Sequence, residues 1–251
     1  MGSPYLYDME KREEILRLFR GLRVSDVSDG MDAAGLQDIG SMDPDIKPLW
    51  RDTENFKHRI YGIAYTVRFV PTRLRVGLHL NEEPNFEEFR EWMRYGYSLA
   101  RGPITEQIKK GDVIVIDAKG TGHAGFIGSN NSLSWMLRGA VGAVTNGGAR
   151  DTDEIIKQQF PVYCKYTGKG IRPGRLELES INATIECGGV QVRPGDIVVA
   201  DGDGVVVVPW EKARLVAEEA RRIAEEDKRR RRRLYQELGR PLDWTVEPLE
   251  K

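Results

Sequence analysis

Cysteine is scarce in this chain. Only two occur in 251 residues, Cys164 and Cys187, with neither metal-ligand nor CxxC spacing, so a disulfide-built secreted fold is not expected. Histidine numbers three, and His123 has no second histidine at ligand spacing. No apolar run is long enough to span a bilayer. Met1 to Arg12 lacks an apolar signal core, so the expected location is the cytoplasm, with no membrane partner. Charge of one sign is also missing in excess: 38 basic side chains face 39 acidic ones. The chain as a whole therefore offers no electrostatic attraction for nucleic acid.

What the sequence does have is alternation of helical and strand patterns within a length that suits one large α/β domain. Ile15, Leu16, Leu18 and Phe19 among charges predict an amphipathic helix over Glu10 to Arg20. Ser25 reads as an N-cap, with Asp26 and Asp29 following and Gly35 stopping the helix. The β-branched and aromatic run Ile60 to Val70, ended by Pro71, predicts a strand. A polar and aromatic stretch, 72 to 108, reads as an insertion with a helix around Phe86 to Leu99. Two segments then repeat one plan, Gly111-Asp112 before Val113 to Asp117 and Gly195-Asp196 before Ile197 to Asp201: a tight turn feeding a strand buried on both faces. Gly202-Asp203-Gly204 before Val205 to Val208 predicts a hairpin. Ser132 to Arg138 is predicted helical, Gly139 to Thr145 a strand, and residues 211 to 238 a long charged helix.

Three motifs invite functional readings. Gly120-Thr121-Gly122-His123-Ala124-Gly125 matches GxGxxG formally. It follows the wrong strand for a dinucleotide unit, and no acid lies between Gly125 and Arg150 to meet a ribose. A loop lining some other pocket fits better. His123 within it is a candidate proton carrier or metal ligand, or a loop residue with an ordinary hydrogen bond. The run Lys228 to Arg233 has the composition of a nucleic-acid patch. It follows Glu225, Glu226 and Asp227, however, and spacing places Glu225 opposite Arg229 and Glu226 opposite Arg230, which predicts a solvated, salt-bridged helix.

The chemistry concentrates where an apolar run ends: Ala143-Val144-Thr145-Asn146-Gly147-Gly148-Ala149-Arg150-Asp151-Thr152-Asp153-Glu154. An adjacent guanidinium and carboxylate at a strand end can hold an anion and a hard divalent cation together. The alternative is that Arg150, Asp151 and Glu154 cap a helix and pair with one another.

Gly128, a helix, a strand ending in Asn-Gly, and Arg150-Asp151-x-x-Glu154, in this order with the two Gly-Asp strands, Val24-Ser25-Asp26 and Gly62 to Val67, resemble the signature of the RraA-like family. The resemblance covers most of the chain outside 72 to 108. It implies a single α/β domain, layered β/β/α, with a central sheet flanked by helices and a long C-terminal helix, assembled as a homotrimer or hexamer with sites between subunits. It also implies a lyase dependent on Mg²⁺ or Mn²⁺ that cleaves a pyruvyl-containing 4-hydroxy-2-oxo diacid by retro-aldol reaction, decarboxylates oxaloacetate, or does both. Two further branches exist, a non-catalytic regulator binding a ribonuclease and a chain labelled a methyltransferase.

By the same resemblance Arg150 grips the pyruvyl oxygens, and Gly128 with the backbone N–H groups of Asn130 and Asn131 binds the carboxylate. Asp151 holds the metal, with Glu154 and a neighbouring subunit's Glu226 (Glu225 close behind) as further acids. Ser129 stands where the aldolases usually carry Asp or Glu, and its hydroxyl does not supply the same charge. His123 and Asp117 are candidates to replace it. Arg73, Arg75 and His79 in the insertion are candidates for a substrate lid.

Overall fold

The computed structural model describes residues 9–73, 86–101 and 103–250, with nothing stated of the side chains of 99–101. Arg75 and His79 lie outside the described residues, and Arg73 is exposed. The chain begins with α1 (Met9–Phe19) and α2 (Val24–Ala33), then β1 (Lys47–Pro48), β2 (Ile60–Pro71) and α3 (Phe86–Arg101). The middle alternates: β3 (Asp112–Asp117), β4 (Gly125–Ile127), α4 (Ser129–Leu137), β5 (Gly142–Ala149), α5 (Thr152–Lys157) and β6 (Val162–Thr167). The remainder is β7 (Leu176–Ile181), β8 (Ile185–Cys187), β9 (Val190–Val192), β10 (Ile197–Asp201), β11 (Gly204–Val208) and the long helix α6 (Ala213–Glu237).

Nine strands form one sheet in the order β1-β6-β5-β3-β2-β10-β11, with β4 beside β5 and β7 beside the second half of β2. The four inner strands β6, β5, β3 and β2 run parallel, and β10, β11, β7 and β1 pair antiparallel around them. Parallel strands are covered on both faces, which is why β3 and β5 are buried along their whole length; antiparallel β10 is buried too, its residues divided between two core clusters. Phe19, Val27, Val206 and Val216 seat α1, α2 and α6 on the β10–β11 end. Tyr65, Phe126, Trp135 and Phe160 fill the space under α4 and α5. The β8–β9 hairpin supplies a second β layer through Ile185, Cys187 and Val190 against Val113 and Tyr163. Arg12 ties α1 to β3 through a 2.6 Å ion pair with Asp112, both buried.

Four elements depart from the sequence reading. The second helix starts before Ser25, because Arg23 is its N-cap: the Asp26 carboxylate accepts the Arg23 N–H at 2.9 Å and Asp201 accepts that of Val24 at 3.0 Å. The helix expected from Ser132 begins at Ser129. The strand expected over Gly139 to Thr145 is shifted: β5 begins at Gly142 and runs through Asn146-Gly147-Gly148 to Ala149. There the glycines admit close neighbours: a Cβ on Gly147 would lie 2.5 Å from Ala118 Cβ, and one on Gly148 2.7 Å from the Ala124 carbonyl. On α6, Glu226 pairs with Arg222 at 3.3 Å rather than with Arg230. Glu225 accepts the Leu249 N–H at 2.6 Å, and Arg232 reaches Glu247 at 3.2 Å, so part of the basic run is tied to the C-terminal tail. Both cysteines are free and buried. No helix among the described residues is long and apolar enough to cross a membrane.

Candidate functional site

The C-terminal ends of the parallel strands are where open α/β sheets place ligands, and the segments leaving β3, β5 and β6 meet there. From β3 the chain passes Gly120 to Gly125 into β4 and turns at Gly128 into α4. From β5 it passes Arg150 and Asp151 into α5. The two paths are joined by the Arg150 N–H bonding the Ile127 carbonyl at 2.8 Å. No helix starts at Gly125, so the GxGxxG match lacks the helix terminus that a pyrophosphate site needs.

Asp151 sits in the left-handed region, φ 54° and ψ 43°, between strand and helix. That conformation is uncommon for a non-glycine residue, though Asp tolerates it better than most. It turns the carboxylate away from its own helix and toward the start of α4. There Oδ2 accepts from both the Ser129 N–H and the Ser129 hydroxyl, each at 3.2 Å, while Arg150 Nε lies 3.2 Å from Oδ1. Both side chains remain about a third exposed, 33% for Arg150 and 35% for Asp151, so further ligands can reach them. Gly125 and Gly128 keep the space open: a Cβ on Gly125 would fall 2.3 Å from Arg150 Cγ, and one on Gly128 2.9 Å from Asp151 Oδ2. Ser132 locks the base, its buried hydroxyl bonding the Ser129 carbonyl at 2.8 Å and Gln158 of the α5 cap at 2.5 Å.

These groups line a hollow of about 110 Å³ with Gly125, Gly128, Asn130, Asn131, Arg150 and Asp151 on its wall. The first-turn N–H groups of α4 have no intrahelical acceptor by position, and together with the helix dipole they favour an anion. Sequence reasoning missed three further wall residues, Tyr97 from α3 and Ile171 and Arg172 after β6. Arg172 is 7% exposed, and its guanidinium lies 5.4 Å from the Phe69 ring centre. A second hollow of about 390 Å³ adjoins, sharing Arg150 and Asp151 with the first and lined also by Ala149, Thr152, Thr167, Gly168 and Lys169. The available signal was the run Thr167-Gly168-Lys169-Gly170-Ile171-Arg172, cations among glycines directly after a strand.

Not every predicted residue joins the site. His123 is exposed and lines neither hollow, and its backbone carbonyl accepts the Gly170 N–H at 3.0 Å. Glu154 is exposed on α5 and lines neither. Glu226 projects from α6, which packs on α1 and α2. Asp117 is buried at the end of β3, 3.0 Å from Lys119 Nζ and bonded by Asn146 Nδ2 at 3.2 Å. Among the described residues no group of three or more His, Cys, Asp or Glu stands together, so within one chain Asp151 is the carboxylate of the pocket.

Known proteins share this sequence pattern and fold. A relative from Halalkalibacterium halodurans, named "Putative 4-hydroxy-4-methyl-2-oxoglutarate aldolase", is 29% identical over 219 residues, 87% of this chain and 88% of its own. A crystal structure of an uncharacterized protein from Pseudomonas syringae pv. tomato superposes with a TM-score of 0.69 at 25% identity, covering 94% of this chain and 98% of that one. Streptomyces coelicolor RraAS2, described as an unusual member of the RNase ES inhibitor RraA protein family, shares the fold with a TM-score of 0.70 at 24% identity, over 88% and 98% of the two chains. The RraA-like family, described as Aldolase/RraA, matches residues 24–207, a span that holds the Arg150–Asp151 pair, the Gly128 turn and both Gly-Asp strands, and the chain belongs to that family.

Proposed function

We propose that this protein is a divalent-metal-dependent lyase acting on a small 2-oxo diacid, breaking the C3–C4 bond of oxaloacetate or of a 4-hydroxy-2-oxo diacid to release pyruvate. The observation that carries the reading is the clamp on Asp151. One carboxylate is oriented by Ser129 and Arg150 at the mouth of a helix N-terminus, in a hollow that also presents a second guanidinium, Arg172.

The donor set suits Mg²⁺ or Mn²⁺. Such ions take one or two carboxylates, keep several waters and leave positions for substrate oxygens, and Gly128 leaves free the space beside Asp151 Oδ2 that a Cβ would fill. Asp151 would hold the ion, directly or through water, with the Ser129 hydroxyl beside it. When bound, it supplies Lewis-acid stabilisation of the negative charge that develops as the pyruvyl group departs.

The chain's own residues do the remainder. Backbone N–H groups at Asn130 and Asn131 bind the substrate carboxylate, and Arg150 places its guanidinium near the 2-oxo oxygen, where charge accumulates in the transition state. Arg172 pairs with the distal carboxylate. In decarboxylation the C3–C4 electron pair moves into the C2–C3 bond as carbon dioxide leaves; no base is required, and C3 of the enolate then takes a proton from water to give pyruvate. Retro-aldol cleavage also needs a base for the C4 hydroxyl proton. Ser129 in place of an acid therefore favours decarboxylation of oxaloacetate over aldol cleavage. Glu226 of a neighbouring subunit in a trimer or hexamer is the candidate to restore that base.

The test couples pyruvate release to lactate dehydrogenase, with Mg²⁺ or Mn²⁺ and with chelator. Turnover that needs metal and disappears in Arg150→Ala and Asp151→Ala supports the reading. Metal-independent turnover, or full rates in Asp151→Ala, overturns it. No turnover on any pyruvyl acid together with tight binding to a ribonuclease would establish the regulatory branch instead.

A further inference from the structure

A second cavity, of about 490 Å³, shares no residue with the hollow around Arg150. It lies between the loop 53–59, the start of α2, the second half of α6 and the tail at 243–245. Four cations line it: Arg23, which is held by Asp26 and Asp227, Arg59 before β2, and Lys228 and Arg231 on α6. Neither Arg59 nor Arg231 forms an ion pair among the described residues, and the Nε of each is buried without an acceptor; the nearby carboxylates that act on them are Asp201 and Asp26 at Arg59 and Asp243 at Arg231. Desolvation by burial lowers the pKa of Arg59, and burial followed by the Arg231 charge lowers that of Lys228, whose Nζ bonds the Thr245 carbonyl at 3.1 Å. The acids in the wall are engaged or solvated. Asp26 is held by Arg23, Asp243 accepts the Thr245 N–H and hydroxyl at 2.8 and 2.5 Å, and Glu54 is exposed.

The wall is also built at a conformational cost. Phe56 adopts φ +53°, an outlier for a bulky side chain. The result is a ring 3.9 Å from the Arg59 guanidinium carbon and 4.9 Å, edge to face, from the half-exposed ring of Trp244. A partly buried guanidinium over an aromatic ring, with its Nε unbonded and no carboxylate in direct contact, favours a further anion.

We propose that this cavity binds a small phosphorylated molecule carrying a planar ring, with the phosphate among Arg59, Lys228 and Arg231 and the ring against Trp244. A phosphate offers three strong acceptor oxygens and nearly two charges to the three cations, which a single carboxylate does not. The half-exposed indole offers a stacking face at the rim, and the volume falls within the range of small-molecule sites.

The test is calorimetric titration of the full chain with AMP, inorganic phosphate and adenosine. AMP is expected to bind saturably, phosphate to compete with it, and adenosine alone to bind at least about tenfold more weakly, the loss of a charge-assisted contact. Arg59→Gln and Arg231→Gln should each weaken AMP about tenfold or more while leaving pyruvate release unchanged. Trp244→Leu, at a half-exposed position where folding is not at stake, should weaken AMP without affecting phosphate. Ligand-free Arg59→Gln should melt no lower than wild type, because a desolvated charge has been removed. Absence of AMP binding at millimolar concentration, undiminished binding in both arginine variants, or a change in sedimenting mass in their place would overturn the proposal.

Discussion

The Ser129 N–H and hydroxyl converge on one oxygen of Asp151, Oδ2, at 3.2 Å each. A serine thus occupies the position that would otherwise set a second carboxylate against the first, and the pair is attractive where two acids would repel. Ser129→Ala removes one of the two contacts. Turnover should fall by about tenfold, the effect of about 1.4 kcal/mol for a hydrogen bond to a charged group. Ser129→Asp should raise the metal concentration dependence and shift the ratio of retro-aldol cleavage to oxaloacetate decarboxylation upward, since it adds a proton acceptor. Measuring both reactions on the same preparation checks this. An unchanged ratio would remove Ser129 from the argument about reaction type.

Much of this site was legible before the structure. Arg150 and Asp151 were marked by an apolar run ending in glycine, arginine and acid, and Gly128, Asn130 and Asn131 by the family resemblance; all five line one hollow. Arg172 and Tyr97 were not, because their relevance depends on how β6 and α3 lie beside β5, which no local pattern states. Element types followed periodicity well: β2, β3, β10, β11 and α6 fall close to where alternation or amphipathicity put them. The errors came from tertiary competition. Gly147 and Gly148 lie beyond the end of the expected strand but serve close packing within β5, and Arg23 displaces Ser25 as a cap because Asp26 folds back onto it.

Gly125 is a steric determinant of the Arg150 rotamer. A methyl group there would overlap Arg150 Cγ and Cβ, at 2.3 and 2.6 Å, so Gly125→Ala must push the guanidinium out of the hollow. We expect kcat/KM to fall by about a hundredfold, as for a small misplacement of a catalytic group, at a stability cost of about 1–3 kcal/mol from overpacking. A crystal structure of the variant, or kinetics against thermal melting, separates the two effects. Retained activity would mean that Arg150 acts from another position.

On the proposed reading Arg172 distinguishes diacids from monoacids. Its guanidinium is buried beside Phe69 and faces the same hollow as Arg150. Arg172→Gln should raise KM for oxaloacetate by about ten- to a hundredfold, corresponding to about 1.5–3 kcal/mol for a charge-assisted hydrogen bond, while kcat changes little. Weak inhibition by pyruvate, which lacks the distal carboxylate, should be unaffected. Equal losses for both ligands would assign Arg172 to the pyruvyl end instead.

Asp196, far from this chemistry, sets a pH dependence of the fold. It closes the turn before β10 by accepting the Arg193 N–H at 2.7 Å and the Trp210 N–H at 3.1 Å. Burial nevertheless dominates and raises its pKa from 3.8 to about 6. The folded state therefore holds this proton more tightly than the unfolded chain does. The associated stability is fully present below about pH 4 and is lost as pH rises through about 6, to a total of about 3 kcal/mol. Urea unfolding of wild type and Asp196→Asn at intervals from pH 4 to 8 isolates it, because the amide does not titrate and its imperfect fit to two N–H donors is a constant offset. Wild type should lose stability relative to the variant mainly from pH 4 to 6 and level off by pH 7, whereas a difference independent of pH would show that the two N–H bonds, not burial, control this carboxyl.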